Sequence, residues 1–267
     1  MPWESVYNSM GCNPIWKNDI LGNTPSPREA VSMAAYVYGD KTDKILKGGW
    51  KVSTKDFGIK KSDPKSGFYS EVYQRTKKDG SIEYAYVTRG TELTSGKDWS
   101  NNLKQPFGLS EQYKQSTTNA RRLANKMGSS QLSFVGHSLG GGMAAANALA
   151  TGKKAITFNA AGLGYWTVYK PNPKATINSH ILITDPLNRM QNKTLSVMGQ
   201  LMPDVDGNVH NLLPKDFSSF YNGHSMDNVL KCFNIDPVKY DKFVPSGSTT
   251  PTTVFSKIPS FAPSFNF

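Results

Sequence analysis

The stretch QLSFVGHSLGGGMAAANALA, Gln131 to Ala150, sets one serine between two glycines, after a short apolar run and before an alanine-rich one. Its reading decides the fold. One reading is a glycine-rich turn that lets a helix pack closely on a strand. The other is a nucleophile held up at the end of a sheet. Gly136-His137-Ser138-Leu139-Gly140 matches G-x-S-x-G, a pattern too short to carry weight alone. Context gives it weight, because such an elbow needs a buried strand before the serine and a helix after it. Leu132–Val135 reads as that strand and Leu139–Ala150 as that helix, with Gly141, Gly142, Ala144, Ala145 and Ala146 offering a small surface for close packing. Ser138 then projects above the sheet at a helix N-terminus, where unpaired N–H groups stabilise developing negative charge.

Working outward, SPREAVSMAAYVYGD carries a helix start: Ser26 caps, Pro27 fits the first helical position and Glu29 completes a capping box. FYSEVYQRTKKDGSIEYAYVTRG reads as a hairpin turning at Lys78-Asp79-Gly80. Ser110 to Met127 reads as a surface helix with Tyr113, Ala120, Leu123, Ala124 and Met127 on one face. Further strands are predicted at Ala155–Phe158 and Ile181–Thr184. Strands alternating with helices predict an α/β fold with a mostly parallel, doubly wound sheet. The single domain spans 26–244, between an N-terminal extension at 1–25 and a tail at 245–267 rich in Pro, Ser and Phe.

A serine at its ordinary pKa needs a base. The chain has four histidines, and His137 lies inside the elbow, pointing away from where a base must stand. His180 directly precedes the strand predicted at Ile181 and reads as a strand-edge residue. His210 sits in a polar loop and remains a competitor. His224, in YNGHSMDNVL, follows a flexible Asn-Gly and precedes a helical pattern, which suits a loop histidine swung over the nucleophile. It is the favoured base. Asp185, at the carboxyl end of a strand, is the favoured partner to orient it, with Asp204 and Asp206 as alternatives. The order Ser138, Asp185, His224 is the one α/β-hydrolases use. Two N–H donors are needed for an oxyanion hole: Leu139, the residue after the nucleophile, and Thr91, just past the strand ending at Arg89-Gly90.

Composition narrows the class. The chain has 267 residues, 37% of them hydrophobic, and no apolar run of transmembrane length. Its start has neither the basic nor the apolar region of a cleavable secretory signal. Cys12 and Cys232 cannot build a disulfide framework or a zinc site, and two reduced thiols are expected. Thirty-one basic against 20 acidic residues leave a net charge of +11, which favours a polyanionic partner. Lys41, Lys44, Lys47, Lys51, Lys55, Lys60, Lys61 and Lys65 read as a solvated, loopy surface. No nucleic-acid reading motif accompanies the charge, so nucleic acid is not an expected partner.

Taken in order, YVTRGTE, DWSNNL, FVGHSLGG, ITFNAAGLG, ILITDPLN and GHSMDNVL resemble the lipase class 3 family, most of all its bacterial phospholipase A1-like members. The resemblance spans Ala30 to Leu230. It implies an α/β-hydrolase fold, Ser138 as nucleophile, Asp185 and His224 completing a triad, Thr91 and Leu139 lining the oxyanion hole, and no cofactor or metal. A lid is common in the family, and Asn102–Ser110 is the place to look for one. Some members are antibacterial effectors delivered by type VI secretion and neutralised by an immunity protein. The expectation is a serine-dependent phospholipase A, A1 favoured, exported by a dedicated secretion system to an anionic phospholipid membrane. The rivals are a soluble carboxylesterase, a neutral-lipid lipase and a catalytically silent membrane- or protein-binding module.

Overall fold

The computed structural model describes residues 25–39, 46–90, 106–128, 131–164, 167–191 and 207–236. Cys12, Thr91, Asp204, Asp206, residues 102–105 of the expected lid and the 245–267 tail lie outside them.

The first helix, α1, runs Pro27–Tyr36 with the predicted capping box: the Ser26 side chain accepts from Glu29 N, and the Glu29 carboxylate accepts from Ser26 N. Two short strands, β1 (Lys51–Val52) and β2 (Ser62–Asp63), interrupt the lysine-rich segment and pair antiparallel with β3 (Phe68–Thr76). Lys51, Lys55, Lys60, Lys61 and Lys65 are exposed there. Charged edge strands of this kind resist pairing with another chain. The hairpin closes on β4 (Ile82–Thr88), where Asp79 Oδ1 accepts from Ser81 N at 2.9 Å.

From β4 onward the strands are parallel and neighbour one another in chain order. The helix α2 (Pro106–Met127) leads to β5 (Gln131–His137), and α3 (Leu139–Thr151) leads to β6 (Lys154–Phe158). Next come β7 (Thr176–Leu182), α4 (Pro186–Gln191) and β8 (Asn208–Leu212), followed by α5 (Phe217–Tyr221) and α6 (Met226–Cys232). The expected start of α2 at Ser110 moves back to Pro106, so 106–110 form its first turns.

Alternation along the strands separates two cores. Tyr84, Tyr86, Phe134 and Ala155 face α2 and α3, packing with Leu123 and Met143. Ala85, Val87, Val135 and Ile156 face the other way, with Val31, Ala34, Val229 and Phe233 of the α1 and α6 side. Both faces of the sheet are therefore covered, which gives parallel strands their near-continuous apolar character.

Three predictions need correction. The strand placed at Ile181–Thr184 runs instead from Thr176 to Leu182, and His210 belongs to a strand, not a loop. The polar residues concealed both strands. Ser179 is satisfied by Thr157 across the sheet, hydroxyl to hydroxyl at 3.0 Å, and the His180 ring stacks between Phe158 and His210 at centroid distances of 5.4 and 4.9 Å. His180 is buried within the sheet, not at its edge.

Candidate active site

Ser138 joins β5 to α3 at φ +58° and ψ −128°. A residue with a Cβ held in such a sparsely populated region costs roughly 1–3 kcal/mol, so its surroundings must hold it. They do so through its backbone. Ser138 N donates to the Phe158 carbonyl at 3.0 Å, and its own carbonyl accepts from Ala161 N at 3.1 Å and Gly142 N at 3.2 Å. Close approach needs the flanking glycines. A Cβ on Gly136 would overlap the Gly140 carbonyl, and one on Gly140 would overlap the Thr88 carbonyl and sit 2.8 Å from Gly90 N. Thr88 Oγ1 donates to the Gly140 carbonyl at 2.7 Å, tying β4 to the elbow.

Asp185 follows β7 after a turn in which its N–H donates to the Leu182 carbonyl at 2.7 Å. It is completely buried. As the residue before α4, its carboxylate accepts from Leu187 N at 3.2 Å, from Asn188 N at 3.3 Å and from the Asn188 side-chain amide. His224 lies between α5 and α6, on a loop gripped from below by Asn159, whose Nδ2 donates to the Gly223 carbonyl at 2.7 Å.

The three side chains meet. His224 Nδ1 is 2.7 Å from Asp185 Oδ1, and His224 Nε2 is 2.8 Å from Ser138 Oγ. A carboxylate only accepts, so Nδ1 carries the hydrogen and Nε2 is left to accept from the serine hydroxyl. Leu139 opens α3, and as its first helical residue it has no intrahelical acceptor for its N–H. Of the other histidines, His210 pairs with His180 in the sheet and is not brought to Ser138. Tyr38, Asn159 and Asn188 are site residues that the sequence reading missed. Asn188 had a usable signal, an amide three residues after a helix-starting aspartate.

His137 and His180 are held neutral in the fold. Burial, aided by the nearby His224 ring, pushes the His137 imidazole down to about 3. Burial, aided by His210, does the same to His180. In the unfolded chain each titrates near 6.5. The unfolded chain therefore takes up the proton first, so their stabilisation is complete above that value and is lost as pH falls toward 3. Each contributes a slope of about 1.4 kcal/mol per pH unit in that window. Urea midpoints measured from about pH 7 down to about pH 4 are expected to fall, and to fall less steeply in a His137→Gln/His180→Gln variant. Equal slopes would contradict this assignment.

Among the described residues, no group of three His, Cys, Asp or Glu side chains is placed to hold a metal ion, and no helix is long and apolar enough to cross a membrane. Cys232 is buried and unbridged, its thiol pushed up to about 11 by burial and close to the Asn228 and Leu213 carbonyls at 3.3 and 3.4 Å.

A mostly parallel sheet, a strained serine between strand and helix, and a carboxylate and a histidine delivered by later loops define the α/β-hydrolase fold. Residues 29–221 match the Tle-like phospholipase domain, and the chain belongs to that family. It is 39% identical over 107 residues to the extracellular phospholipase A1 of Serratia liquefaciens, a match covering 40% of this chain and 31% of that protein. The chain thus spans just under a third of that relative's length. Among solved structures it is similar to a triacylglycerol lipase from Penicillium expansum, with TM-score 0.44, 16% identity, and coverage of 71% of this chain and 79% of that one. It is also similar to the Rhizomucor miehei lipase propeptide complex, with TM-score 0.47, 14% identity, and coverage of 72% and 67%.

Proposed function

We propose that the chain is a serine-dependent phospholipase A, A1 favoured, acting on glycerophospholipid acyl esters. The observation that carries this reading is the hydrogen-bonded row Ser138–His224–Asp185 on a positive-φ elbow. Ser138 Oγ attacks the ester carbonyl while His224 Nε2 takes its proton, and Asp185 stabilises the imidazolium that forms. The N–H of Leu139, with that of Thr91, receives the developing oxyanion. His224 then gives its proton to the departing alcohol, leaving an acyl group on Ser138. Water deprotonated by the same histidine releases the fatty acid.

Membership of a phospholipase family supports a phospholipid substrate, and so does the surface beside the site. On α5, just before the His224 loop, Phe217, Phe220 and Tyr221 are 78%, 59% and 69% exposed, with the Tyr221 ring tilted against Phe217 and edge-on to Phe220, while Leu213 nearby in the chain is 68% exposed. Ser219 fixes this helix from behind, its carbonyl accepting from Thr184 Oγ1 at 2.6 Å next to Asp185. Clustered exposed aromatics suit the boundary between headgroups and acyl chains, and the net charge of +11 favours an anionic bilayer. The reading includes export by a dedicated secretion system, type VI favoured, use against other bacteria, and a neutralising immunity protein.

The test uses anionic vesicles of a phospholipid with different acyl chains at its two glycerol positions, and mass spectrometry of the acid released. Release of the chain from the first position is the expected result. Cleavage of short soluble esters alone would turn the reading to a soluble esterase. Folded protein that cleaves neither, and does not react with a fluorophosphonate, would turn it to a silent binding module.

A further inference from the structure

His137, expected to point away from the base, has no part in the proton transfers above, yet its ring lies 5.2 Å from that of His224, centroid to centroid. His137 is buried between Ser138 and the His224 loop, its Nε2 2.9 Å from the His224 carbonyl oxygen and its Nδ1 3.1 Å from Tyr38 Oη. Tyr38 stands just past α1, and Gly90 N, at the end of β4, lies 3.1 Å from the same hydroxyl. Gly90 packs directly on the elbow: a Cβ there would come 2.6 Å from Tyr38 Oη, 2.7 Å from the His137 carbonyl and 3.2 Å from Ser138 Cβ.

The hydrogen positions in this chain follow from chemistry. The His224 carbonyl only accepts, so His137 Nε2 carries the ring hydrogen. The ring is neutral, so Nδ1 offers a lone pair and Tyr38 donates its hydroxyl hydrogen there. The Tyr38 oxygen is then the acceptor for Gly90 N–H. The chain therefore runs one way, from Gly90 through Tyr38 and His137 to the backbone of the base. It also works with Asn159: the carbonyls of Gly223 and His224, consecutive along the loop, are held by side chains from the ends of two adjacent strands, β6 and β5.

We propose that Tyr38 and His137 are positioning residues, a one-way hydrogen-bond relay that ties Gly90, packed against the elbow, to the loop carrying His224. The proposal rests on the reading of Ser138, His224 and Asp185 as a hydrolytic triad. Its function is registry. The Gly90 backbone packed on Ser138 and the base after α5 are far apart in sequence, and a displacement of about 1 Å between nucleophile and base lowers a rate by about a hundredfold. The relay joins them through two side chains that neither gain nor lose a proton during turnover.

Steady-state hydrolysis of one ester by the full chain tests this, with wild type and Ser138→Ala as references and thermal midpoints measured alongside. Tyr38→Phe removes only the hydroxyl, and His137→Leu removes the ring. Each is expected to lower kcat by about 10- to 100-fold with KM changed less than about twofold. The Tyr38→Phe/His137→Leu double variant is expected to be no slower than His137→Leu, because both break one chain. His137→Gln keeps an N–H donor toward the His224 carbonyl and is expected to recover activity to within about fivefold of wild type, with an unchanged pH profile. Simple structural damage would not yield rescue by a neutral amide. Where His137→Leu fails to fold, Tyr38→Phe and His137→Gln decide. A Tyr38→Phe chain with wild-type kcat, or a His137→Gln chain as slow as His137→Leu or shifted in pH profile, overturns the relay while leaving the triad reading intact. Absence of Ser138-dependent hydrolysis in wild type overturns both.

Discussion

Replacement of Ser138 by alanine is expected to lower ester hydrolysis by about 10⁴- to 10⁶-fold with the fold unchanged. The substitution removes one oxygen and nothing that supports the backbone. The bonds that hold residue 138 at φ +58° are made by its N–H and carbonyl, to Phe158, Ala161 and Gly142. Alanine meets the same backbone strain as serine, so the thermal midpoint should barely move. His224 keeps its bond to Asp185 and stays poised, but no hydroxyl is left for it to activate. The residual rate expected is that of the proposed oxyanion donors acting with water on the bound ester. The assay is titration of released acid against time, paired with fluorophosphonate labelling of the folded protein. A Ser138→Ala chain that retained a tenth of the wild-type rate would remove Ser138 from the mechanism.

The second large effect is expected from Asp185→Asn, about 10⁴-fold in kcat. The cause is the arrangement of donors around the carboxylate. Leu187 N and Asn188 N, both fixed in the backbone of α4, point at it, and so does the Asn188 amide. An asparagine at 185 has one oxygen and one NH₂ group. Its oxygen is drawn to the Oδ2 position, where Asn188 N and the Asn188 amide both donate, and its NH₂ then takes the Oδ1 position and faces His224 Nδ1. The imidazole answers by moving its hydrogen to Nε2, and a protonated Nε2 cannot accept from the serine. Nitrogen-resolved NMR of the His224 ring in both proteins would report the tautomer directly. Wild-type hydrogen placement in Asp185→Asn, or a loss below about tenfold in kcat, would contradict the account.

What was legible in the sequence was local chemistry. Ser26, Pro27 and Glu29 announce a helix start because the capping bonds close within three residues. Asp79-Gly80 marks the hairpin, and Gly136 and Gly140 mark the elbow, for equally local reasons of turn geometry and close approach. What stayed hidden is made of distant partners. His180 and His210 looked like loop and edge residues because nothing in the chain tells which ring will stack on which, and the cross-strand pairing that turns two polar stretches into β7 and β8 is absent from either stretch alone. The same holds for the site's supports. Tyr38 reaches His137 across 99 positions, and Asn159 reaches Gly223 across 64. Candidate nucleophile, base and acid are readable by residue type and order; the groups that hold them are ordinary residues whose roles exist only once the sheet has formed.

The positive φ at Ser138 has a consequence for anyone redesigning this protein for endurance. A residue with a Cβ stands where glycine would sit without strain, and glycine there would keep every backbone bond to Phe158, Ala161 and Gly142. A search guided by thermostability alone would thus be drawn to position 138 and would accept glycine, erasing the proposed chemistry while leaving expression, solubility and fold unaltered. On the proposed mechanism heat tolerance and turnover pull in opposite directions at that one position, so a screen that scores only survival of heating selects against the proposed nucleophile.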